Sequence, residues 1–284
     1  MKTSRLVLLI ITGFWTVAMI PAQDAPKQPS TTDKPLPPGY SIPIVDLTED
    51  VDGVITIDRE KGQYLGHPTA VLLEDDRTIL CVYPKGHGRG AIVYKKSTDG
   101  GKTWSDRLPT PENWASSKEV PTIHRVVDGD GNKRLIVWSG LYPARLAVSE
   151  DDGTSWSPLK PAGQWGGIVV MGSVARLSDG RYAAWFHDDG RFFRSKRGTA
   201  RFDVFQTLSI DGGLTWSEPV SIVHRPDVHL CEPGFIRSPD GKTIALLMRE
   251  NSRTRNSFVI FSEDEGSSWS DPRELPAALT GDRH

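Results

Sequence analysis

Ser209-Ile210-Asp211-Gly212-Gly213-Leu214-Thr215-Trp216 is one of four copies of a single phrase, Ser-x-Asp-x-Gly-x-Thr/Ser-Trp. The other copies begin at Ser97, Ser149 and Ser262, so the motif returns at intervals of 52, 60 and 53 residues. A phrase repeated in register at such spacing marks one supersecondary unit stacked several times. Locally the phrase reads as a turn. The Asp is expected to accept hydrogen bonds from backbone N–H groups two or three residues on, and the Gly supplies a positive φ. The Thr or Ser hydroxyl secures the bend, and the Trp lays a large ring against the sheet.

About two dozen residues before each motif Asp lies a second tight-turn signal: Asp75-Asp76, Asp130-Gly131, Asp179-Gly180 and Asp240-Gly241. Short apolar runs flank these turns, such as Thr78–Tyr83, Leu135–Trp138, Tyr182–Phe186 and Ile244–Met248, and a further run leads into each motif. That is hairpin grammar, with no helical periodicity in the mature chain. The unit is a four-stranded meander whose third and fourth strands are joined by the Asp motif. Four units are read, over about 64–112, 119–163, 169–223 and 229–276. Sheets of this size suit blades around an axis, so the expected class is all-β, a β-propeller; a β-solenoid would use shorter repeats. The chain stops at Gly281–His284, where another blade is due. It therefore reads as part of a six-bladed ring, with segment 41–60 offering strands to close it.

A net charge of −2 and a pI near 6.4 argue against a partner as anionic as nucleic acid or a membrane surface. Residues 1–22 have the form of an export signal: Lys2 and Arg5, an apolar run from Leu6 to Ile20, and the small Ala22. The run is short for a bilayer span, so cleavage and a secreted or periplasmic protein are expected. Proline-rich residues 23–40 read as a flexible linker, and 41–284 as the folded domain. The only cysteines, Cys81 and Cys231, sit in apolar runs and read as small buried hydrophobes.

Meander topology sorts the polar residues. The four motif Asp residues (Asp99, Asp151, Asp211, Asp264) fall at one end, where their task is to shape turns. The opposite end collects the starts of strand one and the loops between strands two and three. It gathers His67, His87, Arg89, His124, Arg125 and Asp188, together with Glu232 and Arg249. Strand one lies nearest the axis, so these residues are expected to line a central cavity, and its basic side chains suit an anionic ligand. Glu232 begins strand one and Arg249 ends strand two of the same hairpin, among apolar neighbours that would desolvate the pair.

These residues resemble the sialidase (neuraminidase) superfamily, whose six-bladed propellers carry such Asp-boxes, also called BNR repeats. The resemblance covers about residues 60–276. It is sharpest at Cys231-Glu232-Pro233, Pro239-Asp240-Gly241 and Leu247-Met248-Arg249. It implies that Glu232 is the base activating a Tyr nucleophile and that Arg249 forks onto a sugar carboxylate. Sialidases differ in this way from two-carboxylate glycosidases. The implied Tyr and third Arg lie in later blades, beyond residue 284. Two positions depart from the pattern. Gly66 stands where the family has its first Arg, and the loop Lys85–Gly90 lacks the acid Asp. By position, Arg89 is a replacement cation, and His67 or His87 a replacement proton donor.

The expected activity is therefore that of an exported glycoside hydrolase of the exo-alpha-sialidase type, acting on a terminal anionic sugar of a glycan or glycoconjugate. Two alternatives are a related propeller enzyme for another anionic glycan, such as a uronic-acid polysaccharide, and a non-catalytic propeller that binds glycan or protein. No metal-ligand spacing occurs, so neither a metal nor another cofactor is expected.

Overall fold

The computed structural model describes residues 53–167, 171–190, 192–193 and 202–277. The predicted export signal, the linker, residues 41–52 and the chain's end lie outside them. Fifteen strands form four antiparallel sheets, each a meander in chain order. The first sheet holds β1 (Thr69–Leu72), β2 (Ile79–Pro84) and β3 (Ile92–Ser97). The second holds β4 (Thr122–Val127), β5 (Lys133–Ser139), β6 (Arg145–Ser149) and β7 (Lys160–Pro161). The third holds β8 (Ser173–Arg176), β9 (Tyr182–Asp188), β10 (Asp203–Ser209) and β11 (Val220–His224). The fourth holds β12 (Leu230–Arg237), β13 (Ile244–Glu250), β14 (Phe258–Ser262) and β15 (Arg273–Glu274). This is a β-propeller with four blades among the described residues. No α-helix occurs among them, and none of their helices is long and apolar enough to cross a membrane.

The first blade departs from the four-stranded expectation. Its fourth position is taken by a segment in which Ser105 N–H donates to Lys96 O (2.9 Å) and Leu108 N–H to Tyr94 O (2.8 Å). Pro109 and Pro111 follow at once, and without N–H groups they stop a regular ladder.

Burial explains the strand compositions. The middle strands are covered on both faces and read as near-continuous apolar runs, as in Tyr182–Asp188, which is buried throughout. The core lies between blades. Leu80, Tyr94 and Trp114 meet Leu135 and Val137 of the second blade. Trp138 and Leu146 meet Phe186, Phe205 and Trp216. Trp185 and Val204 meet Leu230, Leu246 and Phe258.

The Asp-box turns hold this stack together, with one revision to the expected bonding. In each box the Asp Oδ1 accepts the N–H four residues on, at Thr103 (2.9 Å), Ser155 (2.8 Å), Thr215 (2.9 Å) and Ser268 (2.8 Å). Those same hydroxyls donate to Oδ2. Three of the four motif Trp residues leave their own sheet. Trp156, Trp216 and Trp269 each pack against the preceding blade, so their boxes are inter-blade fasteners, whereas Trp104 packs on Cys81, Tyr83 and Val93 of its own blade. Contact is close: a Cβ on Gly153 would lie 2.3 Å from the Tyr94 hydroxyl oxygen of the blade before it.

At the axis, hydroxyls tie neighbouring first strands. Thr69 Oγ1 accepts Ile123 N–H (3.1 Å) and donates to Pro121 O (3.3 Å). Ser173 Oγ repeats the arrangement with Phe235 N–H and Pro233 O, both at 2.9 Å. These ties fix the starting points of strand one, which carry the site.

Candidate active site at the hub

Three of the strand-one starts share a proline: His67-Pro68, Val120-Pro121 and Glu232-Pro233. The residue before proline is ordinarily extended. Here His67 and Glu232 instead take φ of +54° and +53°, a left-handed conformation that costs a branched or bulky side chain about 1–3 kcal/mol. At Glu232 the cause is visible. Cys231 pairs with Arg249 and Gly234 with Leu247, so Glu232 and Pro233 together oppose the single Met248. That bulge re-aims the carboxylate out of the sheet.

Glu232 Oε1 meets Arg249 Nη2 at 2.7 Å, with both side chains about one-third exposed. Arg249 Nη2 also donates to Asn251 Oδ1 (3.0 Å), while its Nε is buried without an acceptor. From below, the Glu232 N–H donates to Nδ1 of the buried His187 at 3.2 Å. An accepting Nδ1 assigns that imidazole as the Nε2–H tautomer. The neighbouring Cys231 is no nucleophile, because burial pushes its thiol up to about 12.

His67 comes from the first blade. Its ring centroid lies 4.8 Å from that of His87 in an edge-to-face contact, and Tyr64 closes the group at 6.2 and 5.7 Å. Desolvation lowers the His67 pKa, and the His87 and Arg249 charges act in the same direction while Glu232 opposes them. Residues of the first and fourth blades thus sense each other.

The remaining predicted residues divide. Arg89 is exposed on the Lys85–Gly90 loop, which bridges to Lys118. Gly90 (φ +116°) closes this loop so tightly that a Cβ would sit 2.2 Å from Lys85 O. His124 bonds Thr122 Oγ1 at 3.0 Å, and desolvation pushes its pKa down to about 4, so it is neutral. Arg125 does not join the group. It lies on β4 toward the Asp-box end, where Asp152 (2.6 Å) and Glu74 (3.1 Å) hold it. Asp188 is buried and its carboxylate serves the backbone, accepting N–H groups from Gly190 (2.7 Å), Phe192 (3.3 Å) and Phe193 (3.2 Å).

Sequence reasoning passed over Tyr64, His187 as the seat of Glu232, and Glu119. Glu119 has a φ of +58° and donates its N–H to Gly88 O at 2.8 Å, beside His87. The repeated residue-before-proline position was the available signal for the His67–Glu232 correspondence. Among the described residues no three His, Cys, Asp or Glu side chains group as metal ligands.

A model of the BNR repeat-like domain matches residues 132–280. No curated protein sequence matches the chain. Among solved structures, the chain is similar to a protein of unknown function from Dyadobacter fermentans (TM-score 0.58, 16% identity, covering 78% of this chain and 71% of that one). It is also similar to an alpha-l-arabinofuranosidase from Fusarium graminearum (0.58, 12%, 74% and 66%). A third is the intramolecular trans-sialidase from Ruminococcus gnavus (0.54, 13%, 75% and 71%). The chain thus spans about two thirds of the arabinofuranosidase, and at these identities the likeness is one of fold.

Proposed function

Because the chain belongs to the BNR repeat-like domain family, we propose that its hub is the active site of a glycoside hydrolase acting on a terminal anionic sugar. The reading is supported above all by the Glu232–Arg249 ion pair at the start of strand one, whose two charges also act on His67. Arg249 supplies the cation for the sugar's carboxylate. Glu232 is the general base that takes the proton of the attacking group at the anomeric carbon. As the glycosidic C–O bond breaks, His67 or His87 donates a proton to the departing oxygen.

A second reading, for a neutral sugar, draws on Gly66. A Cβ at that position would fall 2.4 Å from the Tyr64 ring, so a phenol and not a guanidinium faces that part of the hub. The test is release of fluorophore by the full chain from an aryl α-sialoside, an aryl β-uronide and an aryl α-L-arabinofuranoside. The proposal expects turnover of the sialoside that Glu232→Gln abolishes. Turnover of the arabinofuranoside alone would favour the neutral sugar, and turnover of none would leave a binding propeller. We further propose that the leader over 1–22 exports the protein, which fractionation of a tagged full-length chain checks.

A further inference from the structure

The exposed Tyr142 and the half-buried Phe192 form an aromatic pair at the same end as Glu232, on the loops that follow β5 and β9. Their ring centroids are 5.4 Å apart and their planes 15° from parallel, with Tyr142 45% exposed. Both rings are held by construction. Tyr142 Oη bonds Gln164 Oε1 at 3.0 Å, and the adjacent Leu141 bridges to Gly167. A Cβ on Gly166 would lie 2.0 Å from Leu141 O, so only glycine lets the two segments meet. On the other side the buried Asp188 carboxylate fixes the Phe192 backbone, while Phe193 turns inward onto Phe205 at 4.4 Å.

We propose that this pair is a second sugar-binding site, stacking the ring next to the terminal sugar on the leaving-group side. A rigid, exposed tyrosine gives a flat apolar face with a polar edge, and its phenol and the Gln164 amide can bond ring hydroxyls. Its position fits a neighbouring subsite. Gly167 abuts the His187 carbonyl, where a Cβ would sit 2.3 Å away, and His187 Nδ1 holds the Glu232 N–H. The path from the Leu141–Gly167 bridge to the Glu232 backbone N–H therefore runs through directly touching residues. The inference rests on the glycoside reading of the hub, yet binding at the platform needs no turnover there.

Affinity electrophoresis of the full chain in gels cast with mucin, polygalacturonate or debranched arabinan separates the two. The wild type and Glu232→Gln should both be retarded in at least one gel. Tyr142→Ala and Phe192→Ala should each weaken that retardation about tenfold, the loss expected for one aromatic contact. Tyr142→Phe, which keeps the stacking face, should retain most of it. No retardation of the wild type, or retardation of both alanine variants as strong as that of the wild type, overturns the platform. Retardation without hydrolysis by any form overturns the catalytic hub and leaves the platform standing. Should Tyr142→Ala melt early, Phe192→Ala carries the result.

Discussion

The two ends of the propeller use the same hairpins for opposite purposes. At the Asp-box end four turns are near copies: the Ser Oγ to Asp Oδ1 distance is 2.8 Å in three and 2.9 Å in the fourth. At the other end the blades agree far less. One offers a glycine-laced His87 loop, one presents Tyr142, and two end strand two in a buried carboxylate, Asp188 or Glu250. Both of these carboxylates gather backbone N–H groups of the loop that follows. Repetition thus sits where blades must be fastened, and variation where a ligand must be told apart from others.

The sharpest break of this contrast pairs one residue from each end. Glu232→Gln should reduce turnover about 10²–10⁴-fold, the usual contribution of a general acid or base, with little change in melting temperature. Trp216→Ala should do the reverse. Its ring is 8% exposed and meets Trp138 of the preceding blade at 5.2 Å, so truncation should cost about 3–5 kcal/mol. The folded fraction should keep its KM. Parallel melting curves and kinetics on the two variants read both effects.

Much of this was legible because its causes are local. An Asp-box closes its hydrogen bonds within eight residues, and the Glu232–Arg249 pairing follows from a hairpin centred on Asp240-Gly241. What was not legible depends on chain position in three dimensions. Arg125 follows His124 in sequence, yet it lies further along β4 and reaches Asp152 of the next turn. Asp188 looked like a ligand contact because nothing in a sequence shows that a carboxylate is buried under its own loop. The left-handed φ at His67 and Glu232 runs against the usual habit of a residue before proline, so a local rule pointed away from it.

A gentler probe acts through pH on the repeated end alone. The Thr103 hydroxyl, then the Thr103 N–H and the Ser97 hydroxyl, hold the Asp99 pKa down to about 2. Asp151 and Asp264 are lowered in the same manner. Because the folded value lies below the unfolded value of about 3.9, the stabilisation is complete above that pH and is lost as pH falls toward 2. Wild-type melting temperature should therefore decline across that window. Asp99→Asn should start lower at neutral pH and decline less steeply. An unchanged slope would remove the box carboxylates from the account of acid stability.

The smallest expected effect is the most discriminating about which end a residue serves. Arg125 carries two bonds to carboxylates that are themselves 45% and 64% exposed, and water screens such pairs to about 0–1 kcal/mol. Its Nε and Nη1 are buried without acceptors, so removing the guanidinium also relieves an unfavourable burial. The two contributions oppose each other, and Arg125→Gln should shift the melting temperature by no more than a few degrees. It should leave KM for an anionic glycoside unchanged, whereas Arg249→Gln should raise it at least tenfold by removing a charge-assisted contact. A KM rise in Arg125→Gln would mean that this arginine leaves Asp152 to meet the ligand, and the division of labour between the two ends would fail at that residue.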